Sequence, residues 1–145
     1  MFRVIDGGIT VPEGFKATGK HIGIKKVKKD LALLTSSVPA KAAGAYTTSL
    51  VKAAHILWDK EITDRGGLVK GLVCVSGNAN ACTGKRGVQD NADMAECFAG
   101  CIGAKKDEIL TAATGIIGLD MPMDLIKAGI KGAYGNLSNK REEAK

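Results

Sequence analysis

The chain has 145 residues, 45% apolar and 25% charged, a balance that excludes a disordered chain and is enough for one domain with a real core. Nineteen glycines and only 4% aromatics point to a core of Val, Ile, Leu and Ala with many tight backbone positions, which favours an α/β protein. The formal net charge of +6 does not mark a nucleic-acid site, because the lysine-containing stretches 25–29 and 140–145 lack the interleaved aromatics on which bases stack.

Residues 1–24 read as extended pieces broken by Gly7-Gly8, Pro12, Gly14 and Gly19, with a turn at Pro12-Glu13-Gly14-Phe15. Residues 30–37, DLALLTSS, are the first strong strand, ending at Val38-Pro39 because proline cannot donate to a ladder. Residues 44–48 read as a second strand paired with it. Ser49 then caps a helix with Leu50, Ala53, Ala54 and Leu57 on one face and Trp58 at its end, and residues 61–67 form a loop. Residues 68–75 are a third strand, apolar enough for burial on both faces. It enters a run almost without bulk, Ser76-Gly77-Asn78-Ala79-Asn80-Ala81-Cys82-Thr83-Gly84.

A helix over 88–102 follows, with Val88, Ala92, Ala95, Ala99 and Ile102 as its apolar stripe, Phe98 beside them and Gly103 as its stop. Residues 108–110 are a short strand running into a second bulk-free turn, Thr111-Ala112-Ala113-Thr114-Gly115. Asp120 and Pro122 start a helix carrying Leu125, Ile126 and Ile130, weakened by Gly129 and Gly132 and ended at Gly135-Asn136. Asn139 to Glu142 has the spacing of a capping box that opens another helix, cut short at Lys145.

The two bulk-free turns repeat one theme: apolar strand, small residues with glycine and hydroxyls, helix. Such turns expose backbone N–H groups that hold an anion or a developing oxyanion, and they also serve close packing. Neither is a P-loop, since Gly84-Lys85 is followed by Arg86, and neither has the glycine spacing of a dinucleotide fingerprint. No histidine lies near Ser76 or Thr114 in sequence; His21 and His55 read as surface or capping residues, and the carboxylates as scattered over the surface. Cys74, Cys82, Cys97 and Cys101 have no Cys-x-x-Cys spacing, so they read as reduced thiols in a cytoplasmic protein, with no metal and no cofactor. No signal-peptide core or membrane-length apolar run occurs. From the residues alone, the chain is an α/β subunit with one or two oxyanion sites and no visible nucleophile, which points to an active site completed by another chain.

Several segments, in order, resemble the α-chain of the ornithine acetyltransferase (glutamate N-acetyltransferase, ArgJ) family. They are Val11-Pro12-Glu13-Gly14-Phe15, Gly23-Ile24-Lys25, Asp30-Leu31-Ala32-Leu33, Ala43-Gly44-Ala45-Tyr46-Thr47-Thr48, the run Ser76 to Gly84, and Thr114-Gly115-Ile116-Ile117-Gly118 with Pro122-Met123. Ser49, His55 and Ala113 depart from the residues common there. The resemblance implies a mixed sheet with packed helices, part of a self-cleaving, N-terminal-nucleophile-like architecture completed by a β chain and assembled from further αβ copies. It implies acetyl transfer from N-acetylornithine to glutamate, with acetyl-CoA as a further donor in some members. The nucleophile is the freed threonine of the β chain, whose own amine serves as base. Thr114 and Gly115 match the family's oxyanion pair. The chain is expected to be a single domain, 1–145, ending before the cleavage site and inactive alone, with substrate contacts beyond Lys145 and on the β chain. An amidohydrolase or aminopeptidase of related architecture and a non-catalytic truncated paralogue are the alternatives.

Overall fold

The computed structural model describes residue 4 and residues 6–142. The sheet has four strands in the order β1-β2-β3-β4: β1 (Phe15–Lys20), β2 (Leu31–Lys41), β3 (Leu68–Asn78) and β4 (Ile109–Ile116). β1, β2 and β3 pair antiparallel, and β3 and β4 pair parallel. A parallel pair needs a crossover, supplied here by helix α2 (Gly84–Ile102). Helix α1 (Ala54–Asp64) precedes β3, and helix α3 (Met123–Ala133) follows β4.

The core lies on one face of the sheet. Leu31, Leu33, Val73, Val75 and Ile109 point to that face and meet Met94 and Phe98 of α2 and Ile126 and Ile130 of α3, all 2% exposed or less. Each such side chain contributes about 1.5–3 kcal/mol through burial. Alternation sends Leu34, Leu72, Cys74, Leu110, Ala112 and Thr114 to the opposite face. That face carries no helix among the described residues. It is half-exposed, and Phe15, Leu34, Val69, Leu72 and Leu110 line a shallow apolar depression on it.

Helix α1 runs beside the free edge of β4. The Trp58 indole Nε1 donates to Ile109 O at 2.9 Å, and Asp59 Oδ1 accepts from Thr111 N at 2.9 Å. Two side chains thereby occupy edge groups that would otherwise pair with another strand.

Several sequence expectations need correction. β2 passes through Pro39, because its register shifts between Thr35 and Ala40 and no ladder donor is required there. Its partner in sequence is β1, not residues 44–48, which have no regular structure; the Tyr46 hydroxyl meets Thr63 Oγ1 at 2.9 Å. Helix α1 starts at Ala54 without a Ser49 cap and continues to Asp64, leaving Leu50 97% exposed and Trp58 mid-helix. β3 is buried on one face only. The buried stripe of α2 is Gly87, Asn91, Met94, Ala95, Phe98 and Ala99: Ala95, Phe98 and Ala99 are buried as expected, whereas Gly87 and Asn91 take the places expected of Val88 and Ala92, and Val88 is exposed. β4 runs on through the small residues to Ile116. Gly129 serves α3 rather than weakening it, since a Cβ there would fall 2.6 Å from Ile22 Cγ2. Residues 139–142 form bends and turns, and any helix they open lies outside the described residues.

Candidate active site

The two bulk-free turns come together. β3 and β4 run parallel and end side by side, with Ser76 opposite Thr114, Gly77 opposite Gly115 and Asn78 opposite Ile116. Crevices beyond the carboxyl ends of parallel strands are where such sheets bind ligands.

Glycine is required at this junction for two reasons. Gly115 has φ +141° and Gly77 has φ +111°, conformations that L side chains rarely adopt. A Cβ on Gly115 would also stand 2.5 Å from Asn78 N and from Gly77 O, and one on Gly77 would stand 2.7 Å from Ile24 Cγ2. The backbones of the two strand ends are therefore in direct contact, with loop residues Ile24 and Lys25 packed behind Gly77. That loop is held by Asp30, 2% exposed, whose carboxylate accepts from Ile22 N at 2.6 Å and Lys25 N at 2.8 Å. Burial opposes ionisation of Asp30. The N–H groups of Ile22, Lys25 and Ile24 and His21, 3.3 Å away, outweigh it and hold the carboxyl below its usual range.

Which way the donors point follows from strand alternation. Ile116 O accepts from Ala79 N at 2.9 Å, so even-numbered residues of β4 turn their backbone groups toward β3. Ile109 and Thr111 turn theirs to the outer edge, where Trp58 and Asp59 meet them. Gly115 shares their parity, and its N–H is directed to the outer edge past the two groups that α1 covers. Thr114 is exposed, with its side chain on the open face of the sheet. A hydroxyl and a backbone N–H on consecutive residues can donate to an oxygen that gains charge.

Among the described residues no histidine base is bonded to a hydroxyl beside them. Neither histidine is bonded to Ser76 or Thr114: His21 Nδ1 faces Lys28 O at 3.0 Å, and His55 Nδ1 is buried without a partner. His55 is thus partly buried and does not cap α1, and burial pushes its pKa down. Two carboxylates are likewise withdrawn from the surface: Asp30 is buried and Asp59 is partly buried. Asp59 is driven up to about 6 by burial, against the hydrogen bonds from Thr111 N and Oγ1. Among the described residues no three His, Cys, Asp or Glu converge as a metal site, and no helix is long and apolar enough to cross a membrane. The four cysteines are free; burial raises the thiols of Cys74, Cys97 and Cys101.

Sequence reasoning singled out both turns but missed that Gly77 is the seat of Gly115. It also missed Asp30 and Asn78, which hold the turns in place. The repeated strand–turn–helix theme was the available signal, since two such units in one parallel sheet end at the same side.

Comparison with known proteins gives a consistent result. Residues 16–145 match the model of the ArgJ family. The chain is 47% identical over 135 residues to the arginine biosynthesis bifunctional protein ArgJ of Symbiobacterium thermophilum, covering 91% of this chain and 33% of that protein. Against the protein of the same name from Bacillus anthracis, identity is 43% over 128 residues, covering 88% and 31%. The chain thus spans about a third of the length of the curated relatives it matches. Among solved structures, the Bacillus halodurans ArgJ protein superposes with a TM-score of 0.89 at 36% identity, over 95% of this chain and 71% of the crystal chain. Ornithine acetyltransferase of Mycobacterium tuberculosis, complexed with ornithine, also superposes with a TM-score of 0.89, at 35% identity over 94% and 76%.

Proposed function

Because the chain belongs to the ArgJ family, we propose that it is the N-terminal part of an acetyltransferase of arginine biosynthesis, moving acetyl from N-acetylornithine to glutamate, with Thr114 and Gly115 as its oxyanion donors. The observation that carries this reading is the junction of Gly77 and Gly115, which brings exposed Thr114 and Gly115 to the carboxyl end of the parallel pair. The relative complexed with ornithine supports the substrate assignment.

The chemistry runs as an exchange. A threonine hydroxyl on the partner chain attacks the acetyl carbonyl carbon of N-acetylornithine, and its proton passes to that chain's terminal amine. The carbonyl oxygen becomes an oxyanion and accepts from Thr114 Oγ and Gly115 N–H. Because the charge is fully developed only in the transition state and intermediate, the two donors favour these over bound substrate. Collapse expels the ornithine amine, which takes up the proton, and leaves acetyl-threonine. Glutamate's amine then attacks that ester through the same oxyanion, releasing N-acetylglutamate and restoring the hydroxyl. Relatives named as bifunctional support a second activity, for which acetyl-CoA is the donor.

The partner is a β chain of the same precursor, assembled with further αβ copies in the cytoplasm, and without it the chain is inactive. Support comes from coverage: the chain spans 71% of the Bacillus halodurans crystal chain but about a third of the curated relatives, as a processed polypeptide would. Its half-exposed Leu34, Leu72 and Leu110 give that partner an apolar face to cover. The test is acetyl transfer by the full-length, processed protein, followed by mass spectrometry. Net transfer from N-acetylornithine to glutamate is expected; dominant hydrolysis to acetate and ornithine would overturn the proposal in favour of an amidohydrolase.

A further inference from the structure

We infer that Asn78 is a positioning residue for the oxyanion donors, acting through the loop of residues 116–121; the inference rests on the oxyanion reading of Thr114 and Gly115. Asn78 ends β3 and is 5% exposed. Its Nδ2 donates to Leu119 O at 3.3 Å, with Met121 Sδ at 3.4 Å and Ala79 O at 3.4 Å. Two of these acceptors are carbonyls, so the NH₂ end of the amide must face them. The next residue, Ala79, takes Ile116 O through its N–H at 2.9 Å. Both ends of the loop that leaves Gly115 are therefore attached to one dipeptide at the end of β3.

The loop has little else to hold it. Ile116, Ile117 and Leu119 are all more than half exposed, and Gly118 has φ +90°. Its remaining attachments are buried Met121 and an ion pair between Asp120 and Arg86, both more than half exposed and weak on that account. The side chain of Asn80, two residues on, bonds within its own turn, donating to Gly87 O at 2.8 Å and accepting from Thr83 Oγ1 at 2.6 Å, and does not reach the loop. The amide of Asn78 thus sets the direction in which the chain departs from Gly115, and with it the wall that residues 116–119 form directly after the Thr114 hydroxyl and the Gly115 N–H. Leu119 is exposed and its carbonyl only partly buried, so losing the clamp disturbs geometry more than stability.

The experiment compares Asn78→Ala, Thr114→Ala and the double variant in the full-length, processed enzyme. Processing is checked by mass, and kcat and KM for N-acetylornithine are measured together with the melting temperature. Asn78→Ala is expected to lower kcat roughly 10- to 100-fold, since displacing a catalytic group by about an ångström has effects of this size. KM should stay within about twofold, because the lost interaction belongs to the transition state. Thr114→Ala should cost less on the Asn78→Ala background, since a misplaced loop has already taken the hydroxyl from its target. Normal kcat in Thr114→Ala alone overturns the oxyanion reading and this inference with it. A lowered kcat there, beside an unchanged kcat in Asn78→Ala with only a lower melting temperature, overturns the inference alone, as do two effects that multiply in full. Should Asn78→Ala fail to fold, Asn78→Ser, which keeps a short donor at the same place, is held to the same split between kcat and KM.

Discussion

Gly115 of β4 lies against Gly77 of β3 so closely that a Cβ on the first would stand 2.5 Å from the carbonyl oxygen of the second. The neighbouring atoms are backbone, which cannot swing aside as the end of a side chain can. Gly115→Ala should therefore destabilise the protein by roughly 2–4 kcal/mol, combining a positive φ with a backbone clash. Chemical denaturation measures this, and wild-type stability in that variant would mean the strand ends separate freely.

Thr114 presents the opposite case. Its side chain is exposed, so Thr114→Ala should leave stability within about 0.5 kcal/mol. If the hydroxyl donates to the oxyanion, kcat should fall about 10²–10³-fold. The assay follows turnover after mass spectrometry has confirmed processing, and unaltered turnover contradicts the assigned role.

Asp59 makes stability depend on pH. Its folded pKa of about 6 lies above the usual carboxylate value, so the folded state holds a proton that the unfolded chain has released. Stability should decline as pH rises from about 4 to 6 and stay low above it, by about 1–3 kcal/mol. Asp59→Asn keeps an acceptor for Thr111 N and carries no charge. Melting curves between pH 4 and 8 should flatten in this variant, and its melting temperature at pH 7.5 should exceed that of the parent.

His55 acts in the opposite direction. Burial lowers its pKa, and its Nδ1 has no partner, so the folded state takes up a proton less readily than the unfolded chain. Stability is therefore present above the ordinary histidine value of 6.5 and is lost as pH falls from there toward the lower folded value. An NMR titration of the imidazole should give a midpoint below 6.5; a midpoint at or above 6.5 would contradict the buried, unpartnered Nδ1.

How much of this was legible in the sequence depends on the range of the forces involved. Gly103 as the stop of α2 and the helix after Pro122 are set by neighbouring residues, and both stand as read. Helix α1 was misplaced because its anchors are not local: Trp58 and Asp59 bond the edge of β4, about fifty residues away, and Leu50, with good helical spacing, has nothing to pack against. The strand expected over 44–48 failed for the same reason, since β-propensity without a partner edge does not make a strand.

By itself, the sequence determined the class, α/β with two bulk-free turns after apolar strands, because composition and hydrophobic period act along the chain. It also carried the family, through residues whose order survives without knowledge of their contacts. Only the tertiary structure decided that the turns are one site. Parallel pairing brings Gly77 to Gly115, a distance of 38 positions in the chain, and seats Asn78 under Leu119. Such contacts are chosen by which strand edges remain open and which faces need burial, and no local pattern encodes either.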